Sequence, residues 1–86
     1  MNIDDPIADF TRRADILRDE VRKCHRKVTA ANRYYCAKMD NRRIAQHEGA
    51  GNAELADHYR MIARAKANLN TAQAAWFEAQ KRYEAA

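Results

Sequence analysis

The apolar residues of this chain repeat with the spacing of helices rather than that of strands. In the C-terminal third a large residue recurs every seven positions: Leu55, Ile62, Leu69, Trp76 and Tyr83. An alanine follows three residues after four of them: Ala65, Ala72, Ala79 and Ala86. A stripe that alternates large and small residues at this period predicts a helical seam whose partner must also alternate in size.

A second stripe of the same kind covers the N-terminal half of the chain. Its members are spaced by three and four residues without a break, and they are Ile7, Phe10, Ala14, Leu17, Val21, Cys24, Val28, Ala31 and Tyr35. The stripe then continues through polar residues to Ala45. This pattern predicts a second seam, dry along most of its length and amphipathic in its last turns.

The first helix has a clear start signal in the dipeptide Asp5-Pro6. Aspartate is a favourable N-cap, and proline suits the first helical position. No proline or glycine follows before Gly49. We therefore expect one helix from about residue 5 to about residue 47, and an interruption at residues 29–32 is left open.

The only turn signal in the chain lies at residues 48–52, with the sequence EGAGN. Gly49 can adopt the left-handed conformation that ends a helix, and Asn52 is a favourable N-cap for the next one. Five residues suit a connection between antiparallel neighbours. A second helix is expected from about residue 53 to about residue 84.

Folding the chain back at this turn tests whether the two seams fit. If Ala45 lies beside Leu55, the numbers of facing residues add up to about 100. The pairs are then Tyr35 with Ala65, Ala31 with Leu69, Val28 with Ala72, Cys24 with Trp76, Val21 with Ala79 and Leu17 with Tyr83. Because large faces small in nearly every pair, the sequence predicts an all-α fold: a single-domain, long antiparallel helical hairpin over residues 1–86 with coiled-coil-like packing.

Several apolar residues stand outside this predicted core. The first helix is the longer one, so residues 5–13 project past the end of the second. Other apolar side chains lie away from the seams. The residues expected to bind a partner are Ile7, Phe10, Tyr34, Ile44 and Phe77. Because a chain with extra apolar faces usually finds a partner, we expect a homodimer that forms a four-helix bundle, and a heterologous protein partner as well.

The net charge of +4 is unevenly distributed along the chain. Residues 4–20 carry six acidic and three basic side chains, whereas residues 22–43 carry eight basic side chains and one acidic. The second stretch predicts a basic ridge, formed by Arg22, Arg26, Arg33 and Arg43. Such a ridge could follow a phosphate backbone, so a nucleic-acid-binding hairpin is the alternative to a protein-docking one.

Residues suited to catalysis or metal binding do not form a recognisable set. The three histidines and two cysteines lack the paired spacing of a zinc site, and neither cysteine has a histidine placed to activate it. Two helices also provide no cleft that would exclude water. We expect no catalytic residue, metal or cofactor.

The same sequence contains no apolar run long enough to cross a bilayer and no secretory signal at its N-terminus. A cytoplasmic protein without membrane contact is expected, its cysteines reduced. The function predicted from the sequence is that of a non-enzymatic adaptor or inhibitor that docks on another protein. A purely structural assembly subunit is a third hypothesis.

Overall fold

Two long helices make up the part of the chain that the structure shows. The computed structural model describes the backbone of residues 6–85 and the side chains of residues 9–85. Helix α1 spans Pro6–His47 and helix α2 spans Asn52–Ala85. Helix α1 runs through residues 29–32 without a break. The two helices pack against each other, which confirms the predicted all-helical hairpin.

Helix α1 ends in the glycine cap that the sequence predicts. Gly49 has a φ of 82°, in the left-handed region. The Ala50 N–H donates to the Ala45 carbonyl at 2.9 Å, and the Gly49 N–H donates to the Gln46 carbonyl at 3.1 Å. These two bonds define a Schellman motif, which satisfies carbonyl groups that the helix end leaves free.

The start of helix α2 differs by one residue from the expectation. The first intrahelical bond runs from the Leu55 N–H to the Gly51 carbonyl at 3.0 Å. Gly51 therefore occupies the N-cap position, and Asn52, predicted as the cap, is the first helical residue. Glycine is itself acceptable at an N-cap, so the turn closes one residue earlier without steric cost. At the other helix start, Pro6 is the first helical residue, whereas its predicted cap Asp5 lies outside the described residues.

Contacts between the helices establish an antiparallel register close to the predicted one. Near the C-terminal end of α2, far from the turn, the Arg82 guanidinium N–H donates to the Glu20 carboxylate at 2.9 Å. Near the turn, Arg42 lies over the ring of Tyr59 at 5.4 Å. The residue numbers of both pairs add up to slightly more than 100. The facing rule derived from the sequence is therefore correct to within one or two positions.

The seam residues form a thin core. Every seam position of α1 from Ala14 to Ala45 is at least half-buried. Only four described residues are buried outright, and they are Ala45, Ala65, Leu69 and Ala79. The seam becomes open at Tyr83, which is 41% exposed. Two helices bury one stripe each, so most of the surface of both remains in contact with solvent.

The N-terminal end of α1 extends beyond α2. In the observed register Ala85, the last described residue, lies opposite about residue 16. Residues 6–15 therefore continue alone for about 15 Å, at roughly 1.5 Å per residue. Phe10 in this segment is 60% exposed, as predicted for an uncovered end. The molecule measures 70 × 16 × 15 Å.

Neither helix contains, within the described residues, a stretch long and apolar enough to cross a membrane.

Candidate functional site

The hairpin has two flat sides, and contacts between the helices identify the residues on each. On one side His25 stacks against Trp76, with ring centroids 5.2 Å apart. Lys66 lies over the ring of Tyr35 at 5.2 Å on the same side. We call this the Trp76 side. On the opposite side Arg82 pairs with Glu20, and we call it the Glu20 side.

A groove opens on the Trp76 side, close to the projecting end of α1. Its volume is about 420 Å³, and it is lined by Val21, Arg22, His25, Arg26, Trp76 and Gln80. Val21 and the indole of Trp76 supply apolar surface, and the two arginines add positive charge. The indole N–H is buried and makes no hydrogen bond within the described chain. The groove therefore suits a ligand that is both apolar and acidic.

The Glu20 side carries a different apolar surface, along α1. Tyr34 is 51% exposed and Ile44 is 55% exposed. They are ten residues apart, about 15 Å along the helix. The exposed Ala37 lies between them, and the exposed Ala30 lies one turn before Tyr34 on the same side. Lys38 lies 4.9 Å from the centre of the Tyr34 ring. We call Tyr34, Ala37 and Ile44 the α1 patch.

The residues predicted to bind a partner do not meet in one surface. Phe10 lies on the projecting end, about 36 Å along α1 from Tyr34. Phe77 is 56% exposed but follows Trp76 on α2, so it belongs to the Trp76 side rather than to the α1 patch. The side chain of Ile7 lies outside the described residues. The predicted set therefore divides among at least three surfaces.

Besides Tyr83 of the seam, three other large apolar residues are exposed and were missing from that set. Ile16 is 59% exposed, Tyr59 53% and Met61 42%. Ile16 recurs with Ile44 at multiples of seven residues, a periodicity that could have identified it. Tyr59 carries no such signal, and in the structure the Arg42 guanidinium N–H donates to the Tyr59 hydroxyl at 3.4 Å.

The predicted basic ridge is present on α1, but its members differ in their neighbours. Arg22 and Arg43 lie 3.9 Å from Asp19 and Asp40, respectively. Arg26 and Arg33 are exposed and have no ion pair among the residues that the structure describes. The ridge extends about 32 Å from Arg22 to Arg43.

The thiols and imidazoles do not converge. Cys24 is half-buried in the seam, and Cys36 is exposed. His25 is part of the groove, whereas His58 is half-buried in the seam. Within residues 9–85 no group of three histidine, cysteine or carboxylate side chains is arranged to hold a metal ion.

Comparison with protein-family models, with curated proteins and with solved structures found no match to this chain. Its function is therefore inferred from its own residues alone.

Proposed function

We propose that this protein is a non-enzymatic interaction module, an adaptor or inhibitor that docks on another protein through its helical surfaces. One observation carries the proposal: the described chain leaves far more large apolar side chains exposed than it buries. Eight are 41–60% exposed, whereas Leu69 is the only large side chain among the four buried residues. They are distributed over several surfaces of the hairpin, and an exposed apolar surface of a folded chain is a common site of interaction with another protein.

The α1 patch is the surface that we assign to the outside partner. It presents an aromatic and a branched aliphatic side chain on one rigid helix, and such residues are frequent anchors when a helix docks against a groove. The exposed Asn41 lies between Ala37 and Ile44, and Lys38 lies over the ring of Tyr34, so the patch also contains polar groups. A partner would therefore offer an apolar groove of about 15 Å with acceptor groups at its edge.

A binding experiment with paired variants tests this assignment. Immobilised wild-type protein is incubated with a lysate of the source cells, beside the variant Tyr34→Glu/Ile44→Glu. The control variant Ala67→Glu/Ala74→Glu adds the same charge to exposed positions on α2. We expect a protein retained by the wild type and the control but lost from the patch variant. Equal retention by all three proteins would rule out the α1 patch.

Self-association is the second part of the proposal. Two hairpins would supply the four helices of the predicted bundle and cover apolar surface that one copy leaves exposed. Phe10→Asp places a charge on the uncovered end and should abolish the dimer, while the circular dichroism spectrum keeps most of its helical signal. Sedimentation equilibrium measures the outcome, and an unchanged dimer would exclude the projecting end from the interface.

Nucleic-acid binding through the basic ridge is the competing candidate. It is favoured by Arg26 and Arg33, whose guanidinium groups form no ion pair with any described residue. It requires an affinity for duplex DNA or RNA that falls steeply with salt, because binding releases counterions. Fluorescence anisotropy with a labelled duplex of random sequence distinguishes the two. Binding that survives Phe10→Asp but is lost in Arg26→Glu/Arg33→Glu would favour the nucleic-acid candidate.

A further inference from the structure

Hydrogen-bond donors dominate the polar rim of the groove on the Trp76 side, which we call the Trp76 groove. The guanidinium groups of Arg22 and Arg26 only donate hydrogen bonds, and no carboxylate is among the described residues that line the groove. Val21 and the half-buried indole of Trp76 provide its apolar surface. A ligand that matches this lining supplies acceptor groups beside an apolar side chain.

Both arginines keep donors available to such a ligand. The Arg22 nitrogen lies 3.9 Å from the Asp19 oxygen, which is beyond hydrogen-bonding distance. Arg26 forms no ion pair within residues 9–85. The two arginines are four residues apart on α1, about 6 Å at roughly 1.5 Å per residue. Carboxylates one turn apart on a second helix have the same spacing.

From the groove toward the turn, the Trp76 side carries no negative charge. Thr29 and Asn32 continue this side on α1, and Gln73 and Lys66 continue it on α2. No carboxylate lies on this side between the groove and Lys66 in the described chain. Lys66 is ten residues from Trp76, about 15 Å along α2. An acidic segment of this length would meet no like charge.

In the other direction, toward the projecting end of α1, carboxylates border the groove. Asp15 and Asp19 precede Arg22 on α1, and the exposed Glu84 follows Gln80 by one turn on α2. A long polyanion laid along the Trp76 side would meet these carboxylates, whereas a short acidic segment that extends toward the turn would not. The charge pattern therefore favours a short acidic segment over a nucleic acid in this groove.

The Glu20 side of the hairpin does not suit the same ligand. Lys23 and Lys27 are exposed cations on that side. They share it with Glu20, which accepts a hydrogen bond from Arg82, and with Glu78, which lies one turn before Arg82. These carboxylates would repel an acidic segment. Charge complementarity therefore selects the Trp76 side.

We propose that the Trp76 groove binds an acidic amphipathic helix of a partner protein, which lies between α1 and α2 and extends from the groove toward Lys66. An apolar side chain of this helix covers Val21 and the Trp76 indole. Its carboxylates accept hydrogen bonds from the two arginines of the rim. The path of about 15 Å corresponds to about ten residues at roughly 1.5 Å each.

The backbone of the hairpin determines that the occupant is helical. The described chain consists of two helices and has no strand edge with which an extended segment could pair. An extended segment against the apolar floor would leave its own N–H and C=O groups unpaired, whereas a helix satisfies them internally. A helix that docks in a groove between two others is also a common mode of protein recognition.

This inference rests on the proposed function and adds a second docking surface to it. The groove and the α1 patch lie on opposite sides, so Tyr34→Glu/Ile44→Glu should leave binding at the groove unchanged. Failure at the groove with retained capture by the α1 patch would remove the groove alone. Binding at the groove without any protein captured by the patch would remove the patch alone.

The fluorescence of Trp76, the only tryptophan in the chain, provides a direct measurement of the groove. The probe is a synthetic acidic helix without aromatic residues, in which leucines are spaced by three and four residues, glutamates flank them and alanines fill the rest. We expect a saturable shift of the emission to shorter wavelength, because the peptide covers the exposed part of the indole. Replacing its glutamates with glutamine, or its leucines with serine, should each weaken binding roughly tenfold or more.

Charge reversal on the rim tests where the peptide binds. Arg22→Glu/Arg26→Glu should weaken binding roughly tenfold or more, because like charges then face each other. Lys23→Glu/Lys27→Glu is the matched control, since it makes the same change in net charge at the same spacing on the Glu20 side, and it should bind like the wild type. Arg22→Gln/Arg26→Gln removes the charges without adding new ones and should also weaken binding. Circular dichroism checks that all variants remain helical.

Other outcomes would overturn the inference. The absence of a saturable shift at millimolar peptide would refute an acidic helix in this groove. Equal weakening by Arg22→Glu/Arg26→Glu and Lys23→Glu/Lys27→Glu would show attraction to the net charge of the protein and not to the groove. A single-stranded oligonucleotide that gives the same shift and displaces the peptide would assign the groove to nucleic acid instead.

Discussion

At the scale of single residues, the fold depends on alternation in size across the seam. Ala65 and Ala79 are each 1% exposed, and Leu69 between them is 4% exposed. The alanines let the facing helix approach closely enough to cover the larger residues opposite. A seam made of such pairs tolerates neither a larger side chain at the alanines nor a smaller one at the leucine.

The first prediction concerns overpacking at Ala65. Ala65→Leu should lower the free energy of unfolding by about 1–3 kcal/mol, because added methyl groups at a filled position force side chains and backbone apart. Ala67→Leu is the control, since it makes the same chemical change at an exposed position of the same helix. Urea unfolding followed by circular dichroism measures both. Equal effects would contradict close packing at Ala65.

The second prediction concerns the one large buried side chain. Leu69→Ala should cost about 2–5 kcal/mol, at the lower end if the two helices can collapse into the space. Met61→Ala removes a side chain of similar size that is 42% exposed, and it should cost much less. If the two variants unfold at the same urea concentration, Leu69 is not the centre of the core.

At the scale of whole elements, the turn fixes where the two helices end. Gly49 takes a positive φ and supports the Schellman motif, whereas Gly51 does not have a positive φ. A Cβ atom at either glycine would meet no heavy atom within 4 Å. The two positions therefore differ in backbone conformation and not in available space.

This difference provides a third prediction. Gly49→Ala should destabilise the hairpin by about 1–2 kcal/mol, since an L-residue is strained in the left-handed region. Gly51→Ala should have a clearly smaller effect, from the weaker capping by alanine alone. Thermal unfolding of both variants tests the pair. A larger loss from Gly51→Ala would show that the N-cap, rather than the left-handed glycine, limits the stability of the turn.

The helices, the turn and the register could largely be predicted from the sequence, because they follow from local residue preferences and from the spacing of apolar residues. Seven-residue spacing identified both seams. Placing Ala45 beside Leu55 across the turn gave the register to within one or two positions, and the large-to-small pairing supported it. The cap at Asn52 was predicted wrongly, because Gly51 and Asn52 are both acceptable N-caps and only the tertiary closure of the turn selects between them.

The candidate site was less predictable. Heptad position shows that Tyr34 and Phe77 are outside the seam. The side of the hairpin on which each lies depends on how each helix is rotated about its own axis. Contacts such as His25 with Trp76 and Arg82 with Glu20 supply that information. They separate the α1 patch from the groove, which the sequence had not distinguished.

At the scale of the whole molecule, the described hairpin combines a thin core with a long shape. Three of the four residues that are buried in the described chain are alanines, so this part of one copy buries little apolar side-chain area. Helices in proteins gain most of their stability from tertiary packing. Any surface covered by a second copy therefore adds directly to the free energy of unfolding.

The fourth prediction tests the proposed self-association. The midpoint of thermal unfolding should rise with protein concentration for the wild type, because dimerisation binds the folded chain and not the unfolded one. In Phe10→Asp, the variant expected to abolish the dimer, the midpoint should be nearly independent of concentration. Circular dichroism melts over a hundredfold range of concentration measure this. A constant wild-type midpoint would mean that the hairpin is stable as a monomer, and its exposed apolar surfaces would then all be available to other proteins.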